Sequence, residues 1–400
     1  MRVIIAGNGL AGTIAAKTLR EISKEIEIDI YAEEKHRYYP RPNLIEFLAG
    51  NLPQEKIFAF PEGWYLEQKI NLHLARPVRK IFPDTQEIEL EEGRKEKYDA
   101  LLLATGSRAF LPLLKGVERV GVFTLRTLDD ALAILESLKD SRRVVIIGGG
   151  ILGLEVARAI NFRGYEVEVV EFFNRLLPRQ LDSRGASLLK EQIENLGIKV
   201  HLELATEEIV GEERVKAVRF KNGGELEAQV VIFASGIRSE LRLAKEGGLN
   251  INKGIIVDDF LTTSNPKIFA AGDNIEHRGK SYGIIPASFS QARVAALNIA
   301  GEKKAYEGTI PSNTLKIAGL YVTSVGVVTP EGNSYEELVR EEQDKGIYKK
   351  IVLQDGEAVG AIWMGTKKGV DEIVRLVTQR KNLGKWKDSL FEEDFDFSVL

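Results

Sequence analysis

The chain has no cysteine among its 400 residues. That one absence removes structural disulfides, thiolate-held iron–sulfur clusters, cysteine zinc sites and thiol nucleophiles together. Any redox chemistry must therefore come from a bound cofactor. Histidine is scarce as well: His36, His73, His201 and His277 are the whole supply and show no pairwise ligand spacing, so no metal centre is expected. No segment approaches the roughly 18 apolar residues that a membrane span needs. The apolar run after Arg2 stops at Ala6, so no leader is expected and the cytoplasm is the expected location. There is no serine nucleophile elbow. A net charge of −4 offers no basic surplus for nucleic acid.

What is present is the composition of a folded chain, 44% hydrophobic and 28% charged, long enough to divide into two or three domains. Its organising stretch is the apolar run Val144-Val145-Ile146-Ile147, which turns directly into Gly148-Gly149-Gly150-Ile151-Leu152-Gly153. A β-branched run of this kind predicts a buried parallel strand, and the glycine spacing predicts a tight turn into a helix. In such a turn the first glycine permits the bend, the second lets a pyrophosphate approach, and the third lets helix and strand pack closely. Unpaired N–H groups at the helix start then face the phosphates.

The same device opens the chain. Val3-Ile4-Ile5-Ala6 leads into Gly7-Asn8-Gly9-Leu10-Ala11-Gly12 and a helix carrying Ile14, Leu19 and Ile22. A strand over 26–32 follows and ends in Glu33-Glu34, where a carboxylate is positioned to hold an adenosine ribose; Glu33 is favoured over Glu34. In the second copy a strand over 166–170 ends in Glu171. Each copy also has a later strand closing on a small-residue turn, Ala104-Thr105-Gly106 in the first and Ala234-Ser235-Gly236 in the second. One glycine motif arises easily by chance, but two complete copies in the same order do not. Two nucleotide sites in one chain follow.

Between these landmarks, Tyr38-Tyr39-Pro40-Arg41-Pro42 reads as a proline-fixed turn that presents Arg41, a residue suited to bidentate phosphate contact. Residues 71–79 and 86–90 read as short antiparallel strands, 267–273 as a strand ending in Gly272-Asp273, and 288–299 as a helix. On its own pattern Asp273 reads as a helix N-cap before Asn274, whereas the family resemblance named below implies a nucleotide ligand, which the Gly-Asp turn after a buried strand favours. From about residue 313 the pattern becomes alternating strands over 315–328, 347–353 and 358–364, then a helix over 370–378. The tail carries Arg380, Lys381, Lys385 and Lys387, then the acids Glu392, Glu393, Asp394 and Asp396. The basic cluster is read as a solvated face in preference to a docking surface.

The combined pattern resembles the FAD-dependent pyridine nucleotide-disulfide oxidoreductase superfamily. Within it, the Tyr-Tyr-Pro-Arg-Pro loop, the Leu177-Pro178-Arg179-Gln180-Leu181-Asp182 segment and the ending Leu315-Lys316-x-x-Gly319 resemble NADH:rubredoxin oxidoreductases, with nitrite-reductase flavin domains and ferredoxin reductases as near neighbours. The resemblance implies an α/β fold of two Rossmann-like three-layer dinucleotide-binding domains plus a small C-terminal α+β domain. The expected boundaries are 1–112 with 236–312 for FAD, an inserted 113–235 for NAD(P)H, and 313–400 for the last domain. FAD contacts are implied for Gly7, Gly9, Leu10, Ala11, Gly12, Glu33, Glu34, Arg41, Pro42, the backbone of Val78, Ala104, Thr105, Gly106, Arg126, Gly272 and Asp273. NADH contacts are implied for Gly148, Gly149, Gly150, Ile151, Leu152, Gly153, Glu171, Ala234 and Gly236.

Glu171 accepts from a ribose 2′-hydroxyl but repels a 2′-phosphate, which favours NADH over NADPH; Arg175 leaves a phosphate contact open. Glu155, placed in the first turn of the second glycine helix, matches a carboxylate near nicotinamide and flavin. Helix-dipole stabilisation is the plainer account of it. Relatives commonly place Lys after the Arg-Pro loop; this chain has Glu46 there, and a Glu46–Glu155 pair is expected to tune flavin potential or NADH affinity. The implied chemistry is hydride transfer from nicotinamide to flavin, which needs no side-chain acid or base. With no cysteine to reduce a disulfide, a rubredoxin or similar small electron carrier is the expected acceptor. Oxygen, as in an NADH oxidase, or a nitrite reductase partner is the alternative, and a redox-sensing interaction module is the reading from a different class. Nothing in the sequence sets the oligomeric state.

Overall fold

The computed structural model describes residues 1–317, 320–387, 389–392, 395 and 396. Gly319 of the family-like ending and the tail acids Glu393 and Asp394 lie outside the described residues. The chain forms two compact units. One comprises Met1–Phe110, Arg126–Leu128 and Ile237–Thr309, and the other Leu111–Leu125, Asp129–Gly236 and Ile310–Leu400.

The first unit is built on a five-stranded parallel sheet in the order Ile268–Ala270, Ala100–Leu103, Arg2–Ala6, Glu27–Tyr31, Ile70–His73. Its central strands are apolar throughout because they are covered on both faces: Val3, Ile4, Ile5, Leu101, Leu102 and Leu103 are fully buried. The helix Leu10–Ile22 follows the first glycine loop and packs against the helix Ile285–Ile299. That second helix starts earlier than the expected 288 because Pro286 lies in its first turn, where no N–H is required.

Residues 71–79 do not form one strand. Ile70–His73 joins the parallel sheet, and Val78–Phe82 pairs antiparallel with Glu87–Leu90 in a separate three-stranded sheet with Lys95–Lys97. Ala75, at φ +51°, makes the break, and the turn is tied down by Ala75 N–H to Glu34 O and Arg76 N–H to Ala32 O.

The second unit repeats the plan with a parallel sheet ordered Lys199–His201, Glu166–Val170, Arg143–Ile147, Val230–Phe233, Val122–Thr124. The repetition extends to register. Arg2 sits opposite Glu27 in the first sheet and Arg143 opposite Glu166 in the second, each Arg Nε 3.3 Å from the Glu carboxylate. The C-terminal part of this unit is a five-stranded antiparallel sheet in the order Ser312–Ile317, Leu320–Gly326, Glu357–Met364, Ile347–Gln354, Tyr335–Glu342. The helix Val370–Thr378 covers it, with Ile373, Leu376 and Val377 buried among Trp363, Ile351 and Leu353.

Two expectations are corrected here. The run 315–328 is a hairpin of two strands, and Tyr335–Glu342 is an additional strand that sequence reading passed over. It lies at the sheet edge, where charged side chains discourage pairing with other chains and erase the apolar alternation. No helix among the described residues is long and apolar enough to cross a membrane.

Candidate nucleotide sites

Each glycine loop is shaped by a steric requirement that can be read atom by atom. Gly7 and Gly148 both adopt φ +119°, and a Cβ on either would strike the carbonyl oxygen of the later small-residue turn, 2.2 Å from Ala104 O and 2.6 Å from Ala234 O. A Cβ on Gly12 or Gly153 would lie 1.9 Å from the carbonyl oxygen of Gly7 or Gly148. At Gly9 and Gly150 the space is open, with nothing within 4 Å. Both are extended N-cap residues without a side-chain cap, so the first-turn amides of each long helix start beside clear space. Open space beside uncapped first-turn amides is the arrangement that phosphate oxygens would need, so both loops fit a dinucleotide.

In the first unit the structure gathers Arg126, Asp273 and Ser107. Arg126 Nη2 donates to Asp273 Oδ2 at 3.0 Å and its Nε to Ser107 O at 3.1 Å, while Ser107 Oγ donates to Asp273 Oδ2 at 2.9 Å. Ser288 Oγ reaches Asp273 Oδ1 at 3.3 Å and Ser239 Oγ reaches Asp273 O at 2.8 Å. The N-cap alternative for Asp273 fails, because the strand Ile275–His277 follows it rather than a helix. Thr105 Oγ1 donates to Glu240 O at 3.2 Å, and Gly106 and Gly272 take left-handed φ values of +67° and +106°. Val78 is buried at the head of its strand.

The two acids after the second strand part ways. Glu34 is held by Tyr39 and by a close ion pair with Arg41. Arg41 thus faces a carboxylate in its own unit, at the end of a turn that Pro42 closes by capping the helix Asn43–Ala49. Burial raises Tyr39 above the usual phenol range, and its hydroxyl accepts from Leu128 N–H at 2.8 Å. Glu33 is 65% exposed and meets Arg108 Nη2 at 3.0 Å; Arg108 also grips Glu240. Burial alone would raise Glu240, but the Arg108 hydrogen bond and the Arg242 N–H hold it below the ordinary carboxylate range.

Sequence reading missed a brace under the first loop. Thr13 Oγ1 and Tyr65 OH both donate to Asn8 Oδ1, at 3.1 and 3.0 Å. Buried Gln291 likewise accepts the Gly272 N–H at 3.0 Å. The only sequence signal was a polar residue at a core-facing helix position.

In the second unit Glu171 is 6% exposed, and its carboxylate accepts from Gly149 N–H at 2.6 Å and Phe173 N–H at 2.9 Å. A side chain on Gly149 would meet Leu176 Cδ2 at 2.6 Å and Glu171 Oε2 at 3.1 Å. Ile151 and Leu152 are half-buried, and Gly236 closes its strand at φ +99°. Arg175 Nη2 donates to Pro178 O at 3.2 Å. Glu155 is corrected: the helix runs Ile151–Phe162, so Glu155 is in its second turn and no acid lies in the first. Glu46 sits in the helix Asn43–Ala49 of the other unit, accepting from Asn51 Nδ2 at 2.9 Å. In the tail, Arg380 pairs with Glu357 at 3.1 Å and Lys387 with Glu336.

The model of the pyridine nucleotide-disulphide oxidoreductase family matches residues 1–313, and that of the rubredoxin NAD+ reductase C-terminal domain matches residues 311–381. An NAD(P)H nitrite reductase of Bacillus subtilis is 36% identical over 386 residues, covering 96% of this chain and 48% of that protein. The NADH-rubredoxin oxidoreductase of Clostridium acetobutylicum is 33% identical over 376 residues, covering 92% and 94%. Its crystal structure superposes with a TM-score of 0.82 at 29% identity, covering 96% of each chain. The ferredoxin reductase for the CYP199A2 system from Rhodopseudomonas palustris superposes with a TM-score of 0.91 at 26% identity, covering 100% of this chain and 99% of that one. The chain spans 41–51% of the length of the nitrite and nitrate reductase proteins it matches.

Proposed function

The chain belongs to the pyridine nucleotide-disulphide oxidoreductase family, and on that premise we propose that it is an FAD-dependent oxidoreductase that passes electrons from NADH to a small iron–sulfur or rubredoxin-type carrier. The observation that carries this reading is the pairing of two complete phosphate cradles with a chain that has no thiol. Disulfide reduction needs a cysteine that is not there, so electrons must leave for an external acceptor. The similarity to an NADH-rubredoxin oxidoreductase over nearly its whole length supports an iron protein in that role.

FAD, when bound, supplies the acceptor for the nicotinamide hydride and a store from which electrons leave singly. The rest is binding and orientation. The amides after Gly9 would hold the FAD pyrophosphate, with Glu33 as the proposed ribose ligand and the backbone of Val78 toward adenine. Asp273, fixed by Arg126 and Ser107, presents a carboxylate of set orientation to the cofactor. The amides after Gly150 would hold the nicotinamide dinucleotide. Glu171, already oriented by two backbone N–H groups, would accept from its ribose and repel a 2′-phosphate, so NADH is the proposed donor over NADPH.

The test is anaerobic mixing of the flavin-loaded protein with NADH and an acidic rubredoxin, following the rubredoxin visible band. Fast bleaching with NADH and slower bleaching with NADPH are expected. Flavin reduction without bleaching moves the acceptor elsewhere, and no flavin reduction overturns the reading. A second reading, electron supply to a nitrite-reducing partner, is favoured by the 36% identity to the B. subtilis nitrite reductase. It predicts flavin reduction by NADH with little rubredoxin bleaching.

A further inference from the structure

Residues 176–182 lie between two features of the second unit. At one end, the Leu177 N–H donates to Gly149 O at 3.1 Å, and the Leu176 side chain fills the space that Gly149 leaves empty. The peptide groups on either side of the Gly149 Cα are therefore both held, the N–H by Glu171 and the carbonyl by Leu177. Leu177 holds φ +48°, and its carbonyl accepts from the N–H groups of both Gln180 and Leu181 at 2.9 Å, so the segment is a closed turn. Leu176, Leu177 and Leu181 are fully buried.

At the other end, Asp182 caps the helix Ser183–Asn195 by accepting the Gly185 N–H at 2.9 Å. Its second oxygen accepts from Tyr348 OH at 2.7 Å and Lys350 Nζ at 3.1 Å, both on one strand of the C-terminal sheet. Lys350 is 4% exposed and reaches Glu337 at 2.7 Å as well. Met364 Sδ packs against the Gly185 position, and Arg184 pairs with Glu341.

A buried ion pair contributes little stability that apolar residues of the same volume would not, yet removing one partner strands the other charge. What the arrangement supplies is a fixed position. We propose that Asp182, Tyr348 and Lys350 form a clamp through which the C-terminal sheet holds the Gly149 peptide in place, making these three positioning residues for the pyridine nucleotide. The proposal rests on the nucleotide reading of the second loop. A displacement of Asp182 would be passed through the short hydrogen-bonded turn to Gly149 beside the second loop, while the first unit contributes none of the three residues.

The experiment uses the full flavin-loaded chain and measures anaerobic flavin reduction over a range of NADH concentrations, together with flavin content and thermal midpoint. Lys350→Met is expected to raise the NADH KM about two- to thirtyfold, with a smaller fall in kcat and wild-type flavin content. Lys350→Arg, which keeps the charge, restores most of the affinity. Tyr348→Phe removes one hydrogen bond, leaves the charges intact and is expected to raise KM less; it also serves if Lys350→Met does not fold. A lowered thermal midpoint with the wild-type KM in both variants overturns the clamp alone. Loss of flavin in step with NADH affinity overturns it too, because the effect is then general. Absence of nucleotide-driven reduction in the wild type overturns the nucleotide reading and the clamp together.

Discussion

The two glycine loops superimpose in their constraints and differ in what holds them. Both begin at φ +119° and both turn their third glycine against the first. Both lie on the central strand of a five-stranded parallel sheet with an Arg–Glu pair at the same register. The middle residue is where they diverge. In the first loop it is Asn8, braced by hydroxyls of Thr13 and Tyr65 that come from the same unit, with Glu33 and Glu34 engaged elsewhere. In the second it is Gly149, braced by Glu171 itself. One loop is stiffened independently of its ligand, whereas the other is stiffened by a residue that the ligand would also use. This suits a cofactor that stays and a substrate that comes and goes.

The comparison breaks most sharply at the third glycines. Gly12→Ala and Gly153→Ala each place a Cβ against a backbone oxygen, at or above the ~1–3 kcal/mol of ordinary overpacking. Gly12→Ala is expected to purify with little flavin, measured by absorbance against protein. Gly153→Ala is expected to stay yellow but to lose NADH reduction at concentrations that saturate the wild type. The same outcome for both variants would mean that the two loops do not serve separate nucleotides.

A smaller effect is expected at Glu171. Glu171→Gln keeps the shape but not the charge, so the preference for NADH over NADPH should narrow by about tenfold, or ~1.4 kcal/mol. Steady-state rates with each nucleotide measure it, and an unchanged ratio assigns discrimination to another group such as Arg175. The smallest expected change is at Glu46. We propose that Glu46 tunes the redox chemistry, so Glu46→Lys should shift either the flavin midpoint potential or the NADH dissociation constant. If neither moves, Glu46 has no such role.

The loops were legible because glycine spacing there is a steric necessity, written into the sequence wherever a Cβ would meet a backbone atom. Arg126 and Asp273, 147 residues apart, were each named only through family resemblance, and their pairing was not foreseen, since no local pattern encodes it. The braces were not legible at all. Tyr65 meets Asn8 across 57 positions, and Lys350 meets Asp182 across 168, in a strand where the adjacent Lys349-Lys350 pair does not show which lysine faces inward. The misreading of 71–79 has a local cause: a break inside a continuous β-like pattern is set by one left-handed residue, and Ala75 is not a residue that announces it.

Three residues, Arg126, Thr127 and Leu128, return to the first unit from within a stretch that otherwise belongs to the second, and the first unit resumes again at Ile237. For a chain emerging from a ribosome this reverses the order of completion. Every strand of the second parallel sheet has been made once Phe233 has been added, whereas the first sheet, begun at Arg2, still lacks its edge strand until Ala270. The nucleotide fold that starts first is the one that finishes last, and during that interval the nascent protein exposes an open sheet edge beside Leu101, Leu102 and Leu103.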